Sequence, residues 1–385
     1  MKTYLLSLIL LITGQTLFAT ISPSISTVPY ENLGGKIIIS AQVNGKSGRF
    51  IFDTGAGPNV FSQSFAEKVG TGAIEKTKVT DSNGKATVID QTIVDSIALS
   101  DRLFVNSKTL VADNMIFDCF QVDGILGIDM FKDMVLQLDG STSSLSIAPD
   151  VEEFNTEGAS VLPVSFMSSG EYLPYIKIDI LTGAKVIPIE ALLDLGFDGM
   201  IAFAHRDLEL IKKKNKKLKT QASISSSSIG LGGMESQRQY RLTLDGMKIG
   251  EHQINGFTAV TTSNRTAMIG SELLNMGKII VDLKEKAVYL LGEDGHDLLD
   301  PKSWPISPTV SDGKLIVGSI WDASLEENFE IGDQILKIND KDYATGVDLC
   351  SLITGKDPLL KGSQRAVISI KNRAGKIISF AMVKK

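Results

Sequence analysis

Two short segments of the chain each place an aspartate at the end of an apolar run, with glycine two residues later. The first reads Phe-Ile-Phe-Asp53-Thr-Gly and the second reads Leu-Leu-Asp194-Leu-Gly. An apolar strand would hold each carboxylate rigidly at the mouth of a sheet, where glycine lets the backbone turn sharply. Two carboxyl groups in contact cannot both ionise cheaply, so they share a proton. Such a pair can activate a water with one member while the other donates a hydrogen bond, which is general acid–base catalysis.

The two aspartates belong to a longer repeat. An apolar-apolar-Gly element follows the first aspartate by 74 positions and the second by 76, and a further aspartate lies twelve positions after each glycine. The three markers recur at offsets of 141, 143 and 143 positions; they pair Asp53 with Asp194, Gly127 with Gly270, and Asp139 with Asp282. A self-similarity of this kind indicates that the chain contains two copies of one lobe.

The elements around these markers are mostly strands. Short alternating or apolar runs are separated by Asn-Gly, Ser-Gly and Asp-Gly turns, which predicts a mainly β fold with two duplicated lobes and a cleft between them. The predicted lobes are residues 28–148 and 160–292. The strand-like runs are 36–43, 49–52, 87–97 and 136–147, and the helix-like runs are 63–69, 128–133 and 205–219.

At these residues the chain resembles a known family. Asp53-Thr54-Gly55-Ala56, followed by Ile125-Leu126-Gly127, resembles the retropepsin-like aspartic peptidases in their two-lobed bacterial form. The resemblance implies an endopeptidase that hydrolyses polypeptides through an activated water, with neither a metal nor an organic cofactor. Asp53 and Asp194 would be the catalytic pair, and Thr54 would tie the two active loops together. The resemblance also implies loop support by Gly55, Gly127, Gly196 and Gly270, and flaps over the substrate that contain Asn83, Gly84, Gly230, Gly232 and Gly233.

The second copy departs from the family pattern at two positions. Leu195 stands where Thr or Ser is expected, so its side chain cannot make the hydrogen bond between the loops. Phe197 replaces a small residue and could crowd the cleft or shape a pocket. Two functions follow: an active endopeptidase, or a catalytically decayed protein that binds peptides or acts as a scaffold. Contact between the Asp53 and Asp194 carboxyl groups favours the enzyme, while a Phe197 ring between them favours the binder.

The C-terminal part has a resemblance of its own. Acidic residues and a proline predict a linker over 293–304, and Gly332-Asp333-Gln-Ile-Leu-Lys-Ile338-Asn339 makes residues 305–385 resemble a small α+β PDZ domain. PDZ domains bind chain termini by adding a strand to a sheet edge. The nearest match to their carboxylate-binding loop is Trp304-Pro305-Ile306, and proline lacks the N–H that would hold a carboxylate. We therefore expect this domain to bind an internal peptide segment or to pack on the protein's own lobes.

Composition and the N-terminus bear on where the protein acts. With 43% hydrophobic residues in 385 and a net charge of −6, the chain is neither disordered nor basic enough for nucleic acid. Residues 1–19 resemble a signal peptide, because a lysine precedes the apolar run 5–12; an uncleaved membrane anchor is the alternative. We expect a secreted or periplasmic monomer without a membrane span after signal removal.

The chain has two cysteines, Cys119 and Cys350, which lie 231 positions apart in different predicted domains. Cysteine that is not paired behaves as a small apolar residue and is often buried. The sequence therefore predicts two free, buried thiols.

Overall fold

The computed structural model describes residues 25–72, 74–80, 86–167, 171–230, 233–295, 299–300, 302–357 and 359–385. Within these ranges the fold is mainly β and is built as two similar lobes followed by a smaller unit, as the patterning predicts. No helix in the described ranges combines the length and the apolar character needed to cross a membrane.

The described residues between 25 and 148 form the first lobe, with eleven strands, two short α-helices and a 3-10 helix over Ile128–Phe131. The strands are β1 (Ser26–Pro29), β2 (Glu31–Leu33), β3 (Lys36–Val43), β4 (Lys46–Asp53), β5 (Asn59–Phe61), β6 (Glu75–Thr80), β7 (Ala86–Leu99), β8 (Arg102–Val111), β9 (Gly124–Gly127), β10 (Val135–Asp139) and β11 (Ser144–Ala148). The helices are α1 (Gln63–Val69) and α2 (Met115–Phe120). Helix α1 has the predicted bounds; Ser62 caps its start, and Gly70 ends it in a left-handed conformation.

Eight of these strands form one curled sheet in the order β2-β3-β4-β9-β5-β8-β7-β6, with an additional pairing of β3 and β7. Strands β4 and β9 run parallel, and their register places Asp53 opposite Gly127. Phe50, Phe61 and Phe65 are fully buried beneath the sheet with ring centroids 5.3 Å apart. This aromatic cluster anchors the strand that carries Asp53.

The second lobe, residues 160–292, repeats this plan. Its strands are β12 (Ser160–Pro163), β13 (Tyr175–Thr182), β14 (Lys185–Leu193), β15 (Ile201–Ala204), β16 (Thr220–Gly230), β17 (Gly233–Ile249), β18 (His252–Thr262), β19 (Ala267–Ile269), β20 (Gly277–Asp282) and β21 (Ala287–Gly292), and its helix is α3 (His205–Lys214). The sheet order is β13-β14-β19-β15-β18-β17-β16. Strands β14 and β19 are parallel, with Leu193 opposite Ile269, as β4 and β9 are in the first lobe.

A third sheet joins the two lobes. Its order is β1-β11-β10-β20-β21-β12, so β10 of the first lobe pairs directly with β20 of the second. The third pair of repeated aspartates ends these two strands. Asp139 accepts hydrogen bonds from the backbone and hydroxyl of Ser141, and Asp282 accepts from the backbones of Lys284 and Glu285. These aspartates therefore fix turns in the joint sheet.

The C-terminal unit, residues 302–385, is a small α+β fold with its own core. Its strands are β22 (Ile306–Ser311), β23 (Lys314–Ile320), β24 (Gln334–Ile338), β25 (Lys341–Asp342), β26 (Arg365–Lys371) and β27 (Ile377–Val383), and its helix is α4 (Leu349–Ile353). The sheet order is β22-β23-β24-β26-β27, with β25 paired to β24. Ile306, Leu315, Ile335 and Ile368 are fully buried in the core of this unit.

The prediction of two free thiols is wrong, because Cys119 and Cys350 form a disulfide. The C-terminal unit folds back onto the first lobe, so that α4 packs against α2 and brings the two cysteines together. Ile353 of α4 joins a small apolar cluster with Leu33 and Ile116 of the first lobe. Separation along the sequence therefore gave no measure of separation in space.

The C-terminal unit also contacts the second lobe. Arg241 of β17 donates hydrogen bonds to the hydroxyls of Ser303 and Ser307 and to the Trp304 carbonyl. Its guanidinium lies 4.2 Å from the centroid of the Trp321 ring, and burial lowers the pKa of Arg241 to about 9. The loop Trp304-Pro305-Ile306 is thus held against the second lobe, and one small unit is attached to both lobes.

The disulfide should contribute measurably to stability. Replacing both cysteines, Cys119→Ser with Cys350→Ser, should lower the free energy of unfolding by about 2–4 kcal/mol, because the cross-link restricts the unfolded chain. Urea unfolding of the full chain measures this loss. Reductant should lower the midpoint of the unmodified protein and leave that of the double variant unchanged. Two reactive thiols in the denatured, unreduced protein would contradict the cross-link.

Candidate active site

Each repeated aspartate lies where a strand leaves its sheet beside a parallel partner strand. Asp53 is the last residue of β4, and Asp194 follows β14 and donates its backbone N–H to the Ile269 carbonyl at 2.8 Å. The repeated glycines Gly127 and Gly270 let the turn that follows each aspartate approach the partner strand very closely. A Cβ atom on Gly127 would lie 2.4 Å from the Gly57 carbonyl oxygen, and one on Gly270 would lie 2.2 Å from that of Gly199.

The structure brings the two aspartates together across the lobe interface, close enough for each carboxyl group to shift the pKa of the other. The glycine of each loop packs crosswise against the opposite carboxyl group. A Cβ atom on Gly55 would lie 2.3 Å from Cγ of Asp194, and one on Gly196 would lie 2.3 Å from Cγ of Asp53. Any side chain at either glycine would push the two carboxyl groups apart.

Burial controls the electrostatics of this pair. It raises the pKa of Asp53, while the Gly55 N–H, which donates to Oδ1 at 2.8 Å, acts in the opposite direction. Burial raises the pKa of Asp194 well above its usual value, and the negative charge of Asp53 raises it further. The pair therefore gives up its second proton with difficulty and holds one proton over an extended pH range.

A single hydroxyl ties the two loops together. Thr54 is fully buried; its Oγ1 donates to the Leu193 carbonyl at 2.6 Å and accepts from the Leu195 backbone N–H at 2.9 Å. Leu195 is also fully buried, among apolar residues of the common core, and offers no hydroxyl in return. At this pair of matching positions, side-chain hydrogen bonds between the two loops therefore come from Thr54 of the first lobe and not from Leu195.

Phe197 does not separate the carboxyl groups, which contact each other directly. Its ring lies beside two backbone segments of its own lobe: a Cβ atom on Gly199 would lie 2.5 Å from the ring, and one on Gly270 would lie 2.6 Å from it. The Phe197 backbone N–H donates to Oδ1 of Asp194 at 3.0 Å. The bulky side chain therefore supports the second loop, and its backbone orients the carboxylate.

Of the residues predicted in the flaps, Asn83, Gly84 and Gly232 lie outside the described residues. Gly230 and Gly233 pair with each other at the end of the β16–β17 hairpin. The predicted covering role of all five residues stays a prediction.

The sequence interpretation missed a lysine that acts on the dyad and two acids just after the repeated glycines. Lys36, the first residue of β3, donates from Nζ to the Gly196 carbonyl at 2.6 Å. Asp129 and Glu272 lie two positions after the repeated glycines, and burial raises the pKa of both carboxyl groups. The repeat could have identified the two acids, whereas no motif marks Lys36. In the described part of the chain, no cluster of three or more His, Cys, Asp or Glu residues is placed to hold a metal ion.

The Thr54 hydroxyl should be important for stability. Thr54→Val removes both bonds and leaves a buried carbonyl and a buried N–H without that partner, and each such loss costs about 1–3 kcal/mol. We expect a loss of about 2–4 kcal/mol in the free energy of unfolding by urea. The matched variant Thr54→Ser keeps the hydroxyl and should lose about 1 kcal/mol or less. Equal losses in the two variants would show that the hydroxyl bonds add little.

The raised pKa of Asp194 predicts a loss of folding stability that depends on pH. Between the unfolded pKa near 3.8 and the higher folded value, the folded state binds more protons, so stability falls as pH rises and stays lower above that window. Asp194→Asn should therefore be more stable than the unmodified protein at neutral pH, and the difference should shrink below about pH 3.8. Urea unfolding across this range tests it, with the exposed Asp95→Asn on β7 as the control. A difference independent of pH would contradict the expectation.

Comparisons with known proteins agree with the position of the first motif. Residues 39–130 match the model of a family described as aspartyl protease. The chain is also similar to the crystal structure of aspartic proteinase from Irpex lacteus, with 12% identity and a TM-score of 0.47, over 72% of this chain and 100% of that chain. A search of curated proteins finds no match. In sequence, the segment that holds Asp53 and Gly127 is therefore similar to the aspartyl protease family.

Proposed function

We propose that the protein is an aspartic endopeptidase in which Asp53 and Asp194 activate a water for attack on a peptide carbonyl. The observation that carries the proposal is the crosswise packing of Gly55 and Gly196 on the opposite carboxyl groups, which brings one carboxyl group from each lobe together. The match of residues 39–130 to the aspartyl protease model supports it independently. Contact between the carboxyl groups is also the property that favours an enzyme over a decayed peptide-binding protein.

The reaction needs one proton on the pair. The ionised carboxylate accepts a proton from water as the water oxygen bonds to the carbonyl carbon, while the protonated partner donates to the carbonyl oxygen. The tetrahedral intermediate then collapses: its C–N bond breaks, and the amine nitrogen takes the proton that the first carboxylate had accepted. The carbonyl re-forms as a hydroxyl of the intermediate returns its proton to the partner carboxylate. Protons and electrons balance within the dyad, the water and the substrate, so the mechanism requires neither a metal nor an organic cofactor.

The environments of the two aspartates indicate how they divide these roles. The Asp53 carboxylate accepts a hydrogen bond from the backbone N–H of Gly55 at 2.8 Å, which stabilises a negative charge. Asp194 has its pKa raised further by the charge of Asp53. We assign the negative charge of the resting dyad to Asp53 and the proton to Asp194.

Export is part of the proposal. Disulfides form and persist in oxidising compartments outside the cytoplasm, and the Cys119–Cys350 bond fits such a location. A signal peptide over residues 1–19, which lie outside the described residues, would direct the chain there. We therefore propose a secreted or periplasmic peptidase.

We further propose that the C-terminal unit is PDZ-like and serves to dock on the protein's own lobes. The Pro305 carbonyl accepts hydrogen bonds from the backbones of Trp321 and Asp322. The Arg241 side chain of the second lobe donates hydrogen bonds to Ser303, Trp304 and Ser307 around the same loop. A loop held in this way supports packing against the lobes in preference to capture of a free C-terminus.

The central test is the removal of one dyad carboxylate. Asp53→Asn should reduce cleavage of a diverse peptide library by about 10²–10⁴-fold, the range that general acid–base catalysis supplies, and Asp194→Asn should do the same. Circular dichroism and the urea midpoint check that the variants fold. Asp95→Asn makes the same chemical change on the exposed face of β7 and should keep full activity. Unchanged cleavage in Asp53→Asn would refute the assignment, and a folded but inactive unmodified protein would favour the peptide-binding alternative.

A further inference from the structure

Lys36 belongs to none of the repeated motifs, yet its side chain ends at the active loops. Its Nζ donates to the Gly196 carbonyl at 2.6 Å and lies 3.7 Å from Oδ1 of Asp198. Only 14% of the Lys36 side chain is exposed, whereas the Asp198 side chain is 55% exposed. The ammonium is therefore fixed against the backbone of the second lobe more firmly than against its acidic neighbour.

The carbonyl that Lys36 holds belongs to Gly196, the residue that packs against Asp53. Gly196 packs so closely on Asp53 that a Cβ atom there would lie 2.3 Å from Cγ of the carboxyl group. The residue before Lys36 is held as well, because the Ser271 hydroxyl donates to the Gly35 carbonyl at 2.6 Å. The start of β3 and the second active loop are thus locked together from both sides, and a shift of this contact would change the separation of the carboxyl groups.

Lys36 also brings a positive charge to a buried negative pair. It lowers the pKa of Asp53 and of Asp194, against the effect of burial, and no other charge outside the dyad in the described part of the chain acts as strongly on both. Among the described residues, Asp198 is the acidic side chain that lies within 4 Å of the ammonium. Asp198 also raises the pKa of Glu272, and Lys361 lowers it.

We propose that Lys36 is a positioning residue of this site, whose ammonium fixes the Gly196 loop against Asp53 and supplies the counter-charge for the single negative charge of the dyad. The role of Lys36 in catalysis rests on the proposed function. The effect of Lys36 on the protonation of the dyad can be measured without any substrate turnover.

The sign of the effect follows from the charge. The dyad is competent with one proton, so activity rises at the first ionisation and falls at the second. Without the cation both pKa values rise, because the dyad then holds each negative charge less readily. Both limbs of the pH profile should therefore move to higher pH in Lys36→Met. Lys36→Arg keeps the charge and should keep both limbs in place.

The experiment follows the titration of the dyad in the full-length protein by ¹³C NMR of aspartate carboxyl groups. The signals are assigned with Asp53→Asn and Asp194→Asn. In Lys36→Met we expect the midpoints to rise by about one pH unit, and in Lys36→Arg we expect them to stay close to those of the unmodified protein. Asp198→Asn removes the acidic neighbour of Lys36 and should move the midpoints slightly downward, because that carboxylate is largely exposed.

Unchanged midpoints in a folded Lys36→Met, or an equal rise in Lys36→Arg, would overturn the proposal. Peptide cleavage measured across pH gives the second readout, in which the limbs of the profile should follow the NMR midpoints. If the midpoints shift as expected but the unmodified protein cleaves no peptide at any pH, the proposed function fails and the role of Lys36 towards the dyad remains. The two failures are therefore distinguishable.

Discussion

The contact between two buried carboxyl groups is the constraint on which the rest of the structure depends. Like charges that lie close together repel, and partial burial weakens the screening of this repulsion by water. The pair persists only because the surrounding backbone leaves it no other position. Gly55 and Gly196 interlock with the opposite carboxyl groups, and parallel strands hold each loop from behind. The sheet shared by the lobes fixes the distance between the two halves of the site.

The two lobes have a similar backbone, but their side chains differ at matching positions. Both copies use the same parallel strand pair and the same close approach at Gly127 and Gly270. The bond between the loops, in contrast, comes only from Thr54, because the matching position holds the buried Leu195. The Leu195 side chain makes no hydrogen bond between the loops and packs in the common core instead. The first lobe therefore supplies the Thr54 hydroxyl and the Lys36 ammonium to the second active loop, and the second lobe supplies the Ser271 hydroxyl to the start of β3.

The repeat made the centre of the site predictable, because strand, aspartate and glycine are local features with fixed spacing. The bounds of α1 were predictable for the same reason, because a capping serine begins the helix and a glycine ends it. The disulfide and Lys36 could not be found in this way. Cys119 and Cys350 meet because the C-terminal unit folds back, and Lys36 reaches Gly196 because the first lobe packs against the second. Both are consequences of tertiary packing between segments that are distant in the sequence, and neither leaves a pattern in it. The covering role of the flap residues, which are Asn83, Gly84, Gly230, Gly232 and Gly233, remains a prediction.

The disulfide also changes the covalent connectivity of the molecule. Cys119 lies after Asp53 and before the second lobe, and Cys350 lies beyond that lobe, so the bond closes a ring that contains Asp194 and leaves Asp53 outside. A single break in the backbone anywhere between residues 119 and 350 opens this ring without releasing a fragment. Both aspartates would stay in one covalently joined molecule, and the joint sheet would still align them. The disulfide thereby keeps the molecule covalently whole after a nick in its second lobe.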